Sequence, residues 1–100
     1  MNPGELRHKI TFQIQDLEQE SEIWDEVCTV WANIKPIAGE EYYKAETIDS
    51  ELTHRIIMRY RKGITPDMRI LYKDRIFYIQ SVINDYERNV RLQLMCRELI

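Results

Sequence analysis

One hundred residues, 44% hydrophobic and 31% charged, make one domain (residues 1–100) with a single modest core and fall outside the composition of disordered chains. The formal net charge of −3 argues against a non-specific DNA binder, a class that is usually basic. No apolar run approaches the ~18 residues of a membrane span, and the opening MNPGELRHK has no apolar signal-peptide core.

The small net charge hides a division. Residues 1–51 carry four basic and twelve acidic side chains, and residues 52–100 carry ten basic and five acidic ones. The acids concentrate in DLEQESEIWDE (16–26) and GEEYYKAETIDSE (39–51). A chain acidic in one part and basic in another suits head-to-tail association of copies, because unlike patches attract; solvated surface charge accounts for the same numbers. Cys28 and Cys96 have no neighbouring cysteine and read as two buried thiols in a reducing cytosol.

In chain order, LRHKITFQIQ (6–15) alternates cleanly, with Leu6, His8, Ile10, Phe12 and Ile14 on one face, the period of a half-buried strand. The polar run 16–22 reads as a mobile loop that extends to Trp24 and Glu26. VCTVWANI (27–34) sets Cys28, Val30, Ala32 and Ile34 against Val27, Thr29, Trp31 and Asn33, a second strand that Pro36 closes. In the following stretch Tyr42, Ala45, Ile48 and Leu52 fall three and four apart. That spacing predicts a short helix over about 40–51, with Glu40 and Glu41 favoured by the dipole at its first turn.

THRIIMRYR (53–61) returns to alternation, with His54, Ile56, Met58 and Tyr60 opposite Thr53, Arg55, Ile57, Arg59 and Arg61. Gly63, Pro66 and Asp67 mark a loop. RILY and RIFYIQSVI flank Lys73-Asp74, a two-residue hairpin turn in which Asp74 is the residue suited to positive φ. NDYERN (84–89) is the next turn, and VRLQLMCRE the last strand. The fold expected is mainly β: a five- to six-stranded antiparallel barrel or sandwich with one short helix or loop inserted at about 40–51.

No enzyme signature accompanies this pattern: there is no P-loop, G-x-G-x-x-G, G-x-S-x-G or H-E-x-x-H. His8 and His54 fall on apolar strand faces and match no zinc spacing with the cysteines, so they read as core or edge histidines. Adjacent Glu40 and Glu41 diverge by ~100° on a helix and cannot face one bond together. No catalytic residue, metal site or cofactor is expected. Arg55, Arg59 and Arg61, with Tyr60, Tyr72 and Tyr78, could hold and stack single-stranded nucleic acid on a small barrel. Tyr60 is expected on the face opposite those arginines, which favours a charged strand face presented to protein or solvent.

The pieces GELRHKITFQ, VWANIKPIAGEEYYKAE, THRIIMRYRKGI, RILYKDRIFYIQSV and ERNVRLQLMCRE, in that order, resemble the head–tail joining proteins of tailed phages and prophages, the head-closure or stopper family. The likeness runs from about Gly4 to Glu98, with Asp74 standing where the hairpin of the family would place Gly. It implies a non-enzymatic β-barrel, often monomeric when isolated, that forms a ring on the connector. That ring would close the DNA-filled head beneath portal and adaptor proteins and dock the tail, with double-stranded DNA passing through. It implies assembly in the bacterial cytoplasm and residence in the virion. Within that frame, Trp24, Trp31, Arg55, Arg59 and Arg61 are candidate interface residues, and the acids Glu40, Glu41, Glu46, Asp49 and Glu51 are candidates to line the channel without holding DNA.

Overall fold

The computed structural model describes residues 6–16, 23–37 and 52–99. The helix expected at about 40–51, with Glu40, Glu41, Glu46, Asp49 and Glu51, lies outside the described residues, as do residues 17–22.

Six antiparallel strands close into a barrel: β1 (His8–Asp16), β2 (Ile23–Pro36), β3 (His54–Arg59), β4 (Arg69–Tyr72), β5 (Arg75–Asn84) and β6 (Arg91–Glu98). Their order around the wall is β1-β2-β3-β6-β5-β4, and β4 returns to β1 through rungs from Thr11↔Leu71 to Gln13↔Arg69. Closure leaves no full-length free edge, which is how small β proteins avoid edge-to-edge aggregation. The barrel outcome of the barrel-or-sandwich expectation is therefore the one realised.

The alternation that marked each strand also selects its inner face. Ile10, Phe12, Ala32, Ile34, Ile56, Met58, Ile70, Phe77, Ile79, Leu92, Leu94 and Cys96 all point inward and are buried. Each large side chain so buried contributes roughly 1.5–3 kcal/mol of hydrophobic stabilisation. Ile64 and Met68, from the connection between β3 and β4, also join this core. Leu52, just before β3, is buried as well. Two strands change phase part-way, because a β-bulge sits in each. Phe12 pairs with Cys28 but Gln13 pairs with Glu26, leaving Val27 as the extra residue. Ile79 pairs with Cys96 but Ser81 pairs with Met95, leaving Gln80 extra. One inserted residue turns every later side chain to the opposite face. Val82 thus packs inward, whereas Ile83 is exposed.

Two local expectations need correction. Asp16 and Ile23–Glu26 are strand, not loop: Gln15 pairs with Trp24 and Asp16 with Ile23. The ladder of β1 and β2 runs on beyond the last rung with β4, and cross-strand hydrogen bonds override the polar composition. At the β4–β5 hairpin the left-handed residue is Lys73 (φ 53°), the first turn position, and not Asp74. Gly63 (φ 87°) does take the backbone that its position in the β3–β4 connection requires.

Both histidines face inward and are partnered. His8 Nδ1 accepts the Ile34 backbone N–H at 3.1 Å, and its ring meets the edge of Tyr72. His54 meets the edge of Phe77 and lies 2.9 Å from the Thr53 hydroxyl. Arg75 joins it: Nη2 lies 3.3 Å from His54 Nε2, while Nε donates to Glu98 Oε2 at 2.8 Å. This group ties the starts of β3 and β5 to the end of β6. The Glu98 carboxyl is held below its ordinary range, mainly by the hydrogen bond from Arg75. Burial pushes the His54 pKa down and the Cys96 thiol up to about 12. Both cysteines are free; Cys96 is buried but Cys28 only half-buried.

Candidate functional site

β2 is 14 residues long and β3 only six, and this mismatch makes a groove. Pro36 to Ala32 pair with His54 to Met58, and Ala32↔Met58 is the last rung. Beyond it β2 stays with β1, whereas the chain leaving β3 stays with β6: Arg59 pairs with Arg91, and Tyr60 N–H donates to Val90 O at 3.0 Å. The two strands part. Between them opens a groove of about 590 Å³, lined by Leu6, Val30, Trp31, Met58, Arg59, Tyr60 and Arg61. That volume lies within the ~300–1,000 Å³ of ligand-binding pockets.

Strand parity sorts the lining. Val30, Met58 and Tyr60 belong to the inward-facing set and make an apolar flank that packs on the core. Trp31 and Arg59 belong to the outward-facing set. Trp31 is 56% exposed, unusual for so large an apolar side chain. Tyr60 turns inward as alternation predicts, yet it still lines the same groove as Arg59 and Arg61. Aromatic and basic groups therefore do converge here, contrary to the expectation that opposite faces would separate them. The ladder has ended, and strand parity no longer keeps the two sets apart.

The groove adjoins a basic sheet face. Lys35 lies directly opposite Arg55, and Arg59 directly opposite Arg91. Like charges facing each other across a ladder are destabilising. Arg91 Nε is ion-paired to Asp85, which also accepts from Gln93 Nε2 at 2.6 Å and is acted on by the Arg55 charge. The Asp85 carboxyl is held below its ordinary range, first by the hydrogen bond from Arg91. Arg97, on the same face, lies 5.5 Å from the Tyr78 ring centroid.

Of the five interface candidates, Trp31, Arg59 and Arg61 thus meet in one groove, and Arg55 lies on the adjoining face. Trp24 does not join them. The bulge at Val27 turns it to the outer face of the β1–β2 ribbon, where the Arg69 guanidinium stacks at 4.0 Å over its ring and donates from Nε to Gln13 at 2.8 Å. One exposed cluster escaped the sequence reading: the β5–β6 turn, where Tyr86 is 86% exposed and Ile83 and Val90 are also open to solvent. Tyr86, Glu87 and Asn89 there adopt left-handed backbone (φ 52°, 56° and 56°). Only Asn among these has a marked tendency to that conformation, so the turn type carried little signal. Among the described residues, no three of His, Cys, Asp and Glu come together as metal ligands. Nor is any described helix long and apolar enough to cross a membrane.

Comparison with known proteins extends the picture. The sequence matches the family described as phage head completion protein over residues 1–99. It is 34% identical over 53 residues to the head completion protein gp16 of Bacillus phage SPP1, covering 53% of this chain and 49% of that protein. The match thus spans about half the length of that relative. The fold is similar to the solution structure of protein SF1141 from Shigella flexneri 2a, with a TM-score of 0.72 and 32% identity, covering 98% of this chain and 96% of that one.

Proposed function

The chain belongs to the phage head completion protein family, and from that premise we propose that it is a component of the head–tail connector, forming with its copies a ring that closes the filled head and docks the tail. Its general role is structural, in phage head assembly. The observation that carries the finer reading is the groove between β2 and β3. A solvent-exposed tryptophan, Trp31, stands beside Arg59 and Arg61, next to a sheet face where Lys35 lies opposite Arg55 and Arg59 opposite Arg91. The barrel gains little from an exposed tryptophan beside two arginines. A protein interface gains more, since tryptophan and arginine dominate interface energetics and an acidic partner relieves the repulsion. Neighbouring subunits, portal or adaptor proteins and tail proteins are the partners this reading requires. The ring would assemble in the host cytoplasm and remain at the head–tail junction of the virion, with DNA crossing it without specific binding.

The test is electron microscopy of particles made without this gene. Full heads that leak DNA, beside complete free tails, are the expected result. Normal infectious particles would refute the role. A second reading draws on the same convergence of Trp31, Tyr60, Arg59 and Arg61: single-stranded nucleic acid could stack on the rings and pair with the arginines. It requires strong salt-dependent affinity for oligonucleotides, which the connector role does not.

A further inference from the structure

We infer that the groove is a strand-addition site: an extended segment of a partner protein, alternating apolar and acidic side chains, inserts between β2 and the residues that follow Met58. The inference rests on the protein-docking reading of the groove and specifies the chemistry of what docks there.

Three observations carry it. First, past the rung Ala32↔Met58, no rung joins β2 to the chain that follows β3 among the described residues. From Trp31 back along β2, and from Arg59 onward, strand alternation directs the N–H and C=O of every second residue toward the gap. An added strand would pair with these groups, and main-chain hydrogen bonds are the source of affinity in β-augmentation. Second, the flanks differ in chemistry by parity. Side chains of an inserted strand that point toward the core meet Val30, Met58 and Tyr60, so apolar residues fit there. Those pointing outward meet Trp31, Arg59 and Arg61, so Asp or Glu fit there. Strand geometry delivers these two sets at alternate positions. Third, the charge along β2 limits the register. Asp25 and Glu26 are exposed further along the same strand, so an acidic guest is held toward the arginine end of the groove.

The probe is the hexapeptide Ile-Glu-Val-Asp-Ile-Glu, titrated into the full chain by calorimetry, with hydrogen exchange following the backbone amides of β2. Two controls share its side chains: the same residues with the three acids placed together, and the original order with alternate backbone nitrogens methylated. Saturable binding that protects the amides of Thr29 and Trp31, at least tenfold weaker for either control, is the expected result. The variant Arg59→Glu/Arg61→Glu, whose mutated side chains are exposed, should melt no lower than the parent and lose binding at least tenfold; Trp31→Ala should lose it comparably. Equal binding of the blocked-order or N-methylated peptide would overturn the inference, because affinity would then come from charge alone. So would absent amide protection, no binding to the folded chain, or tighter binding of a six-nucleotide single strand than of the peptide. Particles from the gene deletion keep the two claims apart. Leaking heads with a failed peptide leave head completion standing and remove only strand addition; normal particles remove the role whatever the peptide does.

Discussion

Replacing Arg59 by Glu should stabilise the barrel while abolishing assembly. Arg59 is exposed and sits directly across the β3–β6 ladder from Arg91. Facing side chains of that length place their charges about 7 Å apart, where two unit charges in water interact by ~0.6 kcal/mol. Reversing one sign turns repulsion into attraction, a change of roughly 1.2 kcal/mol before screening. At physiological salt the Debye length is ~8 Å, which cuts this to about 0.5 kcal/mol. Arg91 also keeps its ion pair with Asp85, so a larger gain is not expected. For a chain of this size 0.5 kcal/mol raises the melting temperature by roughly 2–4 °C. Circular dichroism melts at low and high salt are the assay: the gain should be largest at low salt and vanish near 1 M. In parallel, the variant should fail to restore infectious particles to a deletion strain. A variant that melts lower than the parent at low salt would refute the electrostatic reasoning. A stabilised variant that still restores infectivity would show that Arg59 is not part of a working interface.

Other consequences are as direct. Phe77 is fully buried and meets His54 edge-on at 5.1 Å, so Phe77→Ala should cost about 3–5 kcal/mol, read as a lower urea midpoint. Trp24→Ala removes the Arg69 stack and should cost about 0.5–1 kcal/mol, with hydrogen exchange rising first at Gln13 to Asp16 and little change at Leu94. On acidification two groups act in the same direction. His54 has a folded pKa below its ordinary 6.5, so the stability present above pH 6.5 falls as pH drops through 6.5 toward the folded value. Glu98 is likewise depressed and gives up its contribution from its ordinary 4.5 downward. Because Arg75 is 41% exposed, the Glu98 pair should be worth about 1 kcal/mol or less. Denaturation of Glu98→Gln between pH 7 and 3 should therefore show a shallower loss below pH 4.5 than the parent, and His54→Gln a shallower loss just below pH 6.5. Cys96, buried with its thiol pushed up to about 12, should react with a thiol reagent only at the rate of unfolding in a Cys28→Ser variant.

The sequence alone determined the strands and their inner faces wherever two-residue periodicity ran uninterrupted. Ile10 and Phe12, Ala32 and Ile34, Ile56 and Met58, and Leu92, Leu94 and Cys96 are buried as alternation required, because a half-buried strand writes its environment into every second residue. The order of short motifs likewise pointed to the family that the chain belongs to. Tertiary structure decided what no local window contains. Which strand closes the barrel depends on β4 meeting β1, residues more than fifty positions apart. The bulges at Val27 and Gln80 are set by the partner strand's register, and they alone put Trp24 outside and Val82 inside. The groove, above all, arises from unequal pairing: β2 outlasts its ladder with β3, and that divergence brings Trp31 to Arg59 and Arg61. Composition could mark those residues as candidates, but only the end of a ladder could make them neighbours.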